Sequence, residues 1–272
     1  MAWLVQLPTL VEELAGRLSL QVGTPISHAG VTCSWVAPVT RVDGSSAILK
    51  LAMPHMEGEH EIAGLRFWNG DPTVKLLAAD EELGAMLLER CTPGTTLNGM
   101  PEAEQDVVIA GLARRLRRSG LTPDAHTQFR PLSAMLETWR AETLAQRPFW
   151  HDEGLVSEGL ALFRSLSAPC DGDTLLATDL HAGNVLRAER EPWLVIDPKP
   201  FLGDPAYDLV QHLINCEQRL HRDPLGLVHR LADLAQADPE RLRLWIFARA
   251  AADPRDDWRN PLWHDIARSL AP

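Results

Sequence analysis

Residues 175–208 read LLATDLHAGNVLRAEREPWLVIDPKPFLGDPAYD. An apolar strand runs into a polar loop that holds Asp179 and, five residues on, Asn184. VLRAE and WLVID then flank a turn at Arg190–Pro192, the pattern of a hairpin that returns the chain to its start. Asp197 closes the second strand, so the hairpin is expected to bring two carboxylates and one amide oxygen to a single strand–loop junction. Oxygen donors of that kind suit Mg²⁺ rather than a soft metal. Asp-x4-Asn alone arises often by chance; the same pair followed by a hairpin and an apolar-Asp-Pro does not.

Outward from this centre the pattern differs on the two sides. Upstream, residues 8–20 have helical spacing, and 31–51 read as two strands around the Asp-Gly turn of VDGSS. Residues 56–69 (MEGEHEIAGLRFWN) fit a helix stopped by Gly70 and Pro72. TVKLLAAD and GAMLLER follow as short strands, and CTPGTTL (91–97) is a turn-rich connector. Beyond it, 101–119, 131–147 and 153–166 have helical periodicity, and amphipathic helices resume from 205. The expectation is an α+β chain of two lobes. A β-rich lobe with one inserted helix spans 1–90, a hinge 91–97, and a mainly helical lobe with the Asp179 loop 98–272.

Phosphoryl transfer requires few parts: an anion to orient the acceptor hydroxyl, oxygen ligands for Mg²⁺, and a cation on the phosphates. The chain has only three lysines, Lys50, Lys75 and Lys199, among 26 basic residues, so a lysine between apolar neighbours calls for a reason. Lys50 sits in SAILKLA, where strand alternation alone would turn it outward. The alternative is a phosphate-positioning lysine paired to a carboxylate on the following helix. Glu57, Glu59 and Glu61 compete for that partnership. Glu61 is preferred because Leu65 and Trp68, at +4 and +7, mark the buried face it shares.

These segments resemble the aminoglycoside phosphotransferase family, which has a protein-kinase-like fold, and most closely its streptomycin 6-phosphotransferase and hydroxyurea kinase branch. The matching features come in order: SAILKLA, EIAGLRFWNG, LLERCTPG, DLHAGN and WLVIDPKPFLGDPAYDL, across roughly residues 25–215. The resemblance implies an ATP- and Mg²⁺-dependent enzyme that phosphorylates a hydroxyl of a small molecule, an aminoglycoside-type antibiotic such as streptomycin. It implies Asp179 as the catalytic Asp, Asn184 and Asp197 as metal ligands, and Lys50 with Glu61 on the phosphates. Adenine would lie against the backbone near Glu89–Cys91. His181 keeps its place in DLHAGN. The family usually carries His-Gly before its catalytic Asp, whereas Ala177-Thr178 stands here, so the usual brace of that loop is missing. The phosphate loop is thin: HAGVTCSWV offers Gly30, with Thr32 and Ser34 as hydroxyl donors, and no GxGxxG. The rival readings are a kinase of an endogenous amino sugar or other metabolite alcohol, and a nucleotide-binding module without catalysis.

Other residues keep two readings. Asp204, before Pro205, is an N-cap or a ligand. Asp208 complements a helix dipole or, by the resemblance, braces the catalytic loop. Lys199 touches phosphate or pairs with a surface acid. Glu217, Asp256, Asp257 and Asp265 are candidates to meet a cationic acceptor, or solvated surface. Trp139 and Trp245 are expected in the core.

Composition narrows the class further. A net charge of −11 disfavours a nucleic-acid partner. No apolar run approaches the ~20 residues of a membrane span. No Lys or Arg precedes Arg17, and Glu12 and Glu13 interrupt the apolar start, so a secretory signal is not expected and a cytoplasmic location is. Cys33, Cys91, Cys170 and Cys216 have no zinc-site or CxxC spacing and are expected as small core residues. His60-Glu61 lacks the second histidine of a zincin helix, since position 64 is Gly.

Overall fold

The computed structural model describes residues 2–26, 33–117 and 127–272, and Gly30 and Thr32 lie outside them. The described chain divides into two compact units, residues 1–95 with 186–196, and residues 96–185 with 197–272.

The first unit is built on a five-stranded antiparallel sheet in the order β1-β2-β3-β5-β4. Its strands are β1 Gln21–Val22, β2 Ser34–Thr40, β3 Ser46–Ala52, β4 Leu76–Asp80 and β5 Ala85–Glu89. Alternation along β3 sends Ala47, Leu49 and Leu51 to one face, where they pack with Leu14, Val39 and Leu87. Leu14 belongs to helix α1, Ala2–Arg17, which begins earlier than the spacing of 8–20 indicates. The opposite face carries Leu65, Val74, Met86, Leu88 and Leu194.

Helix α2, Glu61–Trp68, buries Glu61, Gly64, Leu65 and Trp68, a stripe at i, i+3, i+4 and i+7. It ends where Asn69 adopts left-handed φ at +50° and Gly70 follows at +78°. The hairpin of β7 Val185–Arg187 and β8 Trp193–Val195 forms as read from the turn at Arg190–Pro192. Residues 186–196 cluster with the sheet unit rather than with the helical residues around them in sequence. The causes are local: Leu194 is fully buried beside Leu65 and Met86, the Val74 and Val195 backbones are bonded, and Arg190 clasps Glu89.

The second unit is mainly helical. Helix α3, Glu102–Leu116, is followed by helices over Leu132–Ala145 and Glu153–Leu166, then by Pro224–Ala235, Pro239–Ala252 and Pro261–Leu270. Gly159 sits where the Glu153–Leu166 and Pro239–Ala252 helices meet, and an added Cβ would lie 2.9 Å from the Cβ atoms of Ala251 and Ala252. β6 Thr174–Leu176 pairs antiparallel with β9 Phe201–Gly203, a strand that the run PKPFLGDP does not announce. Trp245 is fully buried, as expected, and Trp139 stacks on the Arg249 guanidinium, 4.8 Å from ring centroid.

The cysteine expectation holds for Cys216 and fails elsewhere. Cys33 and Cys170 are exposed and Cys91 is half-buried. Cys170 lies in a turn, where Asp173 accepts its backbone N–H and lies 3.1 Å from its Sγ, so the short loop and not the core sets its place. Among the described residues, no helix is long and apolar enough to cross a membrane.

Candidate active site

In the first unit, Lys50 is 6% exposed on β3 and Glu61 2% exposed at the start of α2. The ammonium lies 2.6 Å from each carboxylate oxygen. Strand alternation therefore turns Lys50 not to solvent but toward the buried stripe of α2, and of the three competing glutamates the one on that stripe meets it. Glu59 is exposed. A buried ammonium persists only when paired, so the ion pair is a fixed part of this sheet face.

The segment expected to meet adenine is tied down by side chains. Glu89 takes Arg190 Nε at 2.9 Å and Nη2 at 2.8 Å, and also the Lys75 backbone N–H at 2.9 Å. Burial pushes the Glu89 carboxyl up, but these donors outweigh it and hold the group below its ordinary range. Burial, and then the Glu89 charge, push the Cys91 thiol up to about 11, so it is not a thiolate. Ser34 opens β2, half-buried, with its Cα opposite Ala52.

In the second unit, the loop after β6 turns sharply. The Asp179 N–H donates to Ala177 O at 2.7 Å, around Thr178 at φ +50°, a conformation costly for a β-branched residue. Three bonds hold it. Asp208 accepts the backbone N–H of Ala177 at 3.1 Å and of Thr178 at 2.8 Å, and the Thr178 hydroxyl donates to Lys199 O at 2.6 Å. Asp208 thus lies beneath the loop and does more than complement a dipole. Burial pushes its carboxyl up to about 6 against the pull of the two N–H donors. The Ala177-Thr178 departure does not leave the loop without a brace: the threonine hydroxyl ties it to Lys199, in the segment between Asp197 and β9.

Asp179 closes this turn. Asn184 Nδ2 donates to its backbone O and to Oδ2, both at 3.1 Å. Lys199 Nζ lies 2.8 Å from the same Oδ2, and His181 Nε2 lies 3.6 Å from Oδ1. His181 Nδ1 accepts from the Gly183 N–H at 3.1 Å, which places the neutral ring's proton on Nε2, facing Asp179. Burial lowers the His181 pKa, only partly offset by the nearby Asp179 charge, so the ring is neutral at neutral pH. Asp197 is half-buried with φ +52°.

The donor set can be tested against Mg²⁺. Both Asn184 Nδ2 bonds go to Asp179, so the amide oxygen points the other way, as a ligand must. Among the described residues, no three His, Cys, Asp or Glu side chains converge as a cage. Mg²⁺ bound with substrate phosphates and water needs only one or two protein oxygens. Asn184 and Asp197 suit it.

The remaining candidates separate. Asp204 is an N-cap: it accepts from Ala206 N at 2.9 Å, and its other oxygen takes Trp245 Nε1 at 2.7 Å and Arg241. Glu217, Asp256 and Asp257 are all exposed, and Asp257 caps Arg259 N at 3.1 Å. Asp265 lies 3.5 Å from His221. Sequence reasoning gave Lys199 a phosphate or a surface acid as partner, and missed both its contact with Asp179 and the Thr178 tie. The available signal was Lys199 itself, one of three lysines and set between two prolines.

The family described as aminoglycoside/hydroxyurea antibiotic resistance kinase matches residues 21–254. A streptomycin 6-kinase of Streptomyces glaucescens is 37% identical over 96% of this chain and 84% of its own length. A hydroxyurea phosphotransferase of Kitasatospora aureofaciens is 36% identical over 94% of this chain and 73% of its own. Among solved structures, a choline kinase of Cryptosporidium parvum superposes with a TM-score of 0.62 at 11% identity, covering 97% of this chain and 94% of that one. A spectinomycin phosphotransferase, solved with ADP and spectinomycin, gives 0.55 at 13% identity over 97% and 94%. The structural neighbours show a kinase-like fold, as expected from the sequence. The chain belongs to the aminoglycoside/hydroxyurea antibiotic resistance kinase family, whose named relatives are small-molecule phosphotransferases.

Proposed function

We propose that the chain transfers the γ-phosphoryl group of Mg²⁺-bound ATP to a hydroxyl of a cationic, polyhydroxylated small molecule of the aminoglycoside class, streptomycin-like in its chemistry. The observation that carries this reading is the Asp179–Asn184 pair. One carboxylate is held in a fixed orientation by an amide whose oxygen remains for a metal.

Asp179 orients the acceptor hydroxyl toward the γ-phosphorus. The new O–P bond forms as the bond to the bridging β–γ oxygen breaks, ADP leaves with that electron pair, and the hydroxyl proton passes to Asp179. Asn184 and Asp197 would hold Mg²⁺, which would neutralise phosphate charge. Lys50, fixed by Glu61, sits on the phosphates, and Ser34 adds a hydroxyl donor. The backbone at Glu89–Cys91 meets adenine. His181 and Asp208 support the loop. Glu217, Asp256 and Asp257 supply negative charge for a cationic acceptor. A reaction that draws on cellular ATP supports a cytoplasmic location.

The test is transfer of label from γ-labelled ATP across aminoglycosides, hydroxyurea and amino sugars, with Asp179→Ala as control. Streptomycin-like acceptors should be labelled, and the variant should lose several orders of magnitude in kcat while retaining Mg·ATP binding. Labelling of amino sugars or another metabolite alcohol alone would replace the acceptor class and keep the reaction. No labelling of any acceptor would leave a nucleotide-binding module.

A further inference from the structure

We propose that Lys199 is a positioning residue for the transfer step: its ammonium locks the Asp179 carboxylate in one rotamer, and Thr178 keeps that ammonium in register. The proposal rests on the reading of Asp179 given above. It concerns a lysine that the sequence alone leaves between a phosphate contact and an ordinary surface pair.

Asp179 has two oxygens and they are not equivalent. Oδ2 receives both Lys199 Nζ at 2.8 Å and Asn184 Nδ2 at 3.1 Å. Oδ1 has His181 Nε2 at 3.6 Å, beyond hydrogen-bond length. The acceptor hydroxyl is therefore left Oδ1, and the donors on Oδ2 stop the carboxylate plane from turning. Asn184 alone would not fix it, because its amide must also answer to the metal.

The lysine is placed by its backbone. Lys199 N–H donates to Ala177 O at 2.8 Å, and Lys199 O accepts from Thr178 Oγ1 at 2.6 Å. The two residues that precede the reacting Asp are thus stitched to the backbone N–H and C=O of the lysine. Pro198 and Pro200 fix φ on each side and bias Lys199 toward extended backbone. The lysine backbone is therefore set before the ion pair forms. A surface pair of two freely rotating side chains has no such stitching and contributes little. The Lys199 side chain is 30% exposed, so the pair is not a stability element of the core.

Positioning has a distinct kinetic signature, since orientation acts on the chemical step and not on substrate affinity. Lys199→Met should lower kcat by about 10²-fold, with KM for acceptor and for Mg·ATP changed less than about threefold. Its melting temperature should stay within about 2 °C of wild type, as for a surface substitution. Lys199→Arg, which keeps the cation, should recover most of the loss. Thr178→Val, which removes the hydroxyl and keeps the branched shape, should fall in kcat in the same direction, and Thr178→Ser should stay near wild type. A Lys199→Met kcat within about twofold of wild type would overturn the proposal, and so would a loss carried mainly by KM for Mg·ATP, the mark of a phosphate-binding lysine. An active wild type with a dead Asp179→Ala and an unchanged Lys199→Met refutes the lysine's role alone. A wild type that phosphorylates no acceptor refutes the reading beneath it.

Discussion

Both carboxylate oxygens of Glu61 lie 2.6 Å from the Lys50 ammonium, and neither side chain is more than 7% exposed. The lysine is held from both carboxylate oxygens, so its ammonium stays at one point on the sheet face. Glu61→Gln keeps the shape and removes the counter-charge. Breaking one partner of such a buried pair costs about 3–5 kcal/mol, so the variant should melt several degrees lower. It should also lose most of the melting shift that Mg·ATP produces in wild type. An undiminished ATP shift would separate Lys50 from the phosphates.

Asp197 has left-handed φ at +52°, a region in which Asn is among the better tolerated residues. Asp197→Asn should therefore preserve the loop while removing a metal charge. The expected outcome is loss of turnover with a raised Mg²⁺ requirement, read as the thermal shift by ATP across a Mg²⁺ titration. The same Mg²⁺ midpoint as wild type would count against Asp197 as a ligand.

Asp208 gives a pH dependence of defined sign. Its carboxyl is raised by burial from 3.8 to about 6, so the folded state holds its proton more tightly than the unfolded chain. The resulting stabilisation is complete below about pH 3.8 and is lost as pH rises through about 6, a change of about 3 kcal/mol. Measured against Asp208→Asn, wild-type stability should fall between about pH 4 and 6 and be flat above. Asn would also set an NH₂ group against one of the two backbone donors, so the variant should lose kcat as the Asp179 turn loosens.

Asp106 of α3 is fully buried, with His212 at 3.0 Å, Arg219 at 2.9 Å and Arg230 at 2.9 Å around it. Burial pushes its carboxyl up, but these hydrogen bonds outweigh burial and hold it far below the ordinary range. Its contribution is therefore present above pH 3.8 and is lost as pH falls through the lowered value. Asp106→Asn should cost about 3–5 kcal/mol at neutral pH, seen as a reduced denaturant midpoint, because three cationic or polar groups lose their anion. A midpoint unchanged from wild type would refute the hub.

Much of this was readable in the chain. Glu61 stands out in the sequence because Leu65 and Trp68 share its helical face, and the structure buries all three. The hairpin was marked by its turn residues and apolar strands. What could not be read were contacts made between distant segments with no periodicity. β9 is three residues long, and its pairing to β6 depends on tertiary packing. The Thr178 hydroxyl reaches Lys199 across 21 positions, and Asp106 meets Arg230 across 124. Exposure of Cys33 and Cys170 follows from where strand and turn begin, which is where residue-by-residue reading is weakest.

The scarcity of lysine has a practical corollary. With Lys50 enclosed and Lys199 committed to Asp179, Lys75 is the exposed side-chain amine. Among the lysines, amine-reactive dyes or coupling resins should attach at Lys75 first and leave the Asp179 turn unmodified, whereas prolonged acylation that reaches Lys199 should silence turnover. Time-resolved labelling with peptide mapping would thus order the three amines by their surroundings.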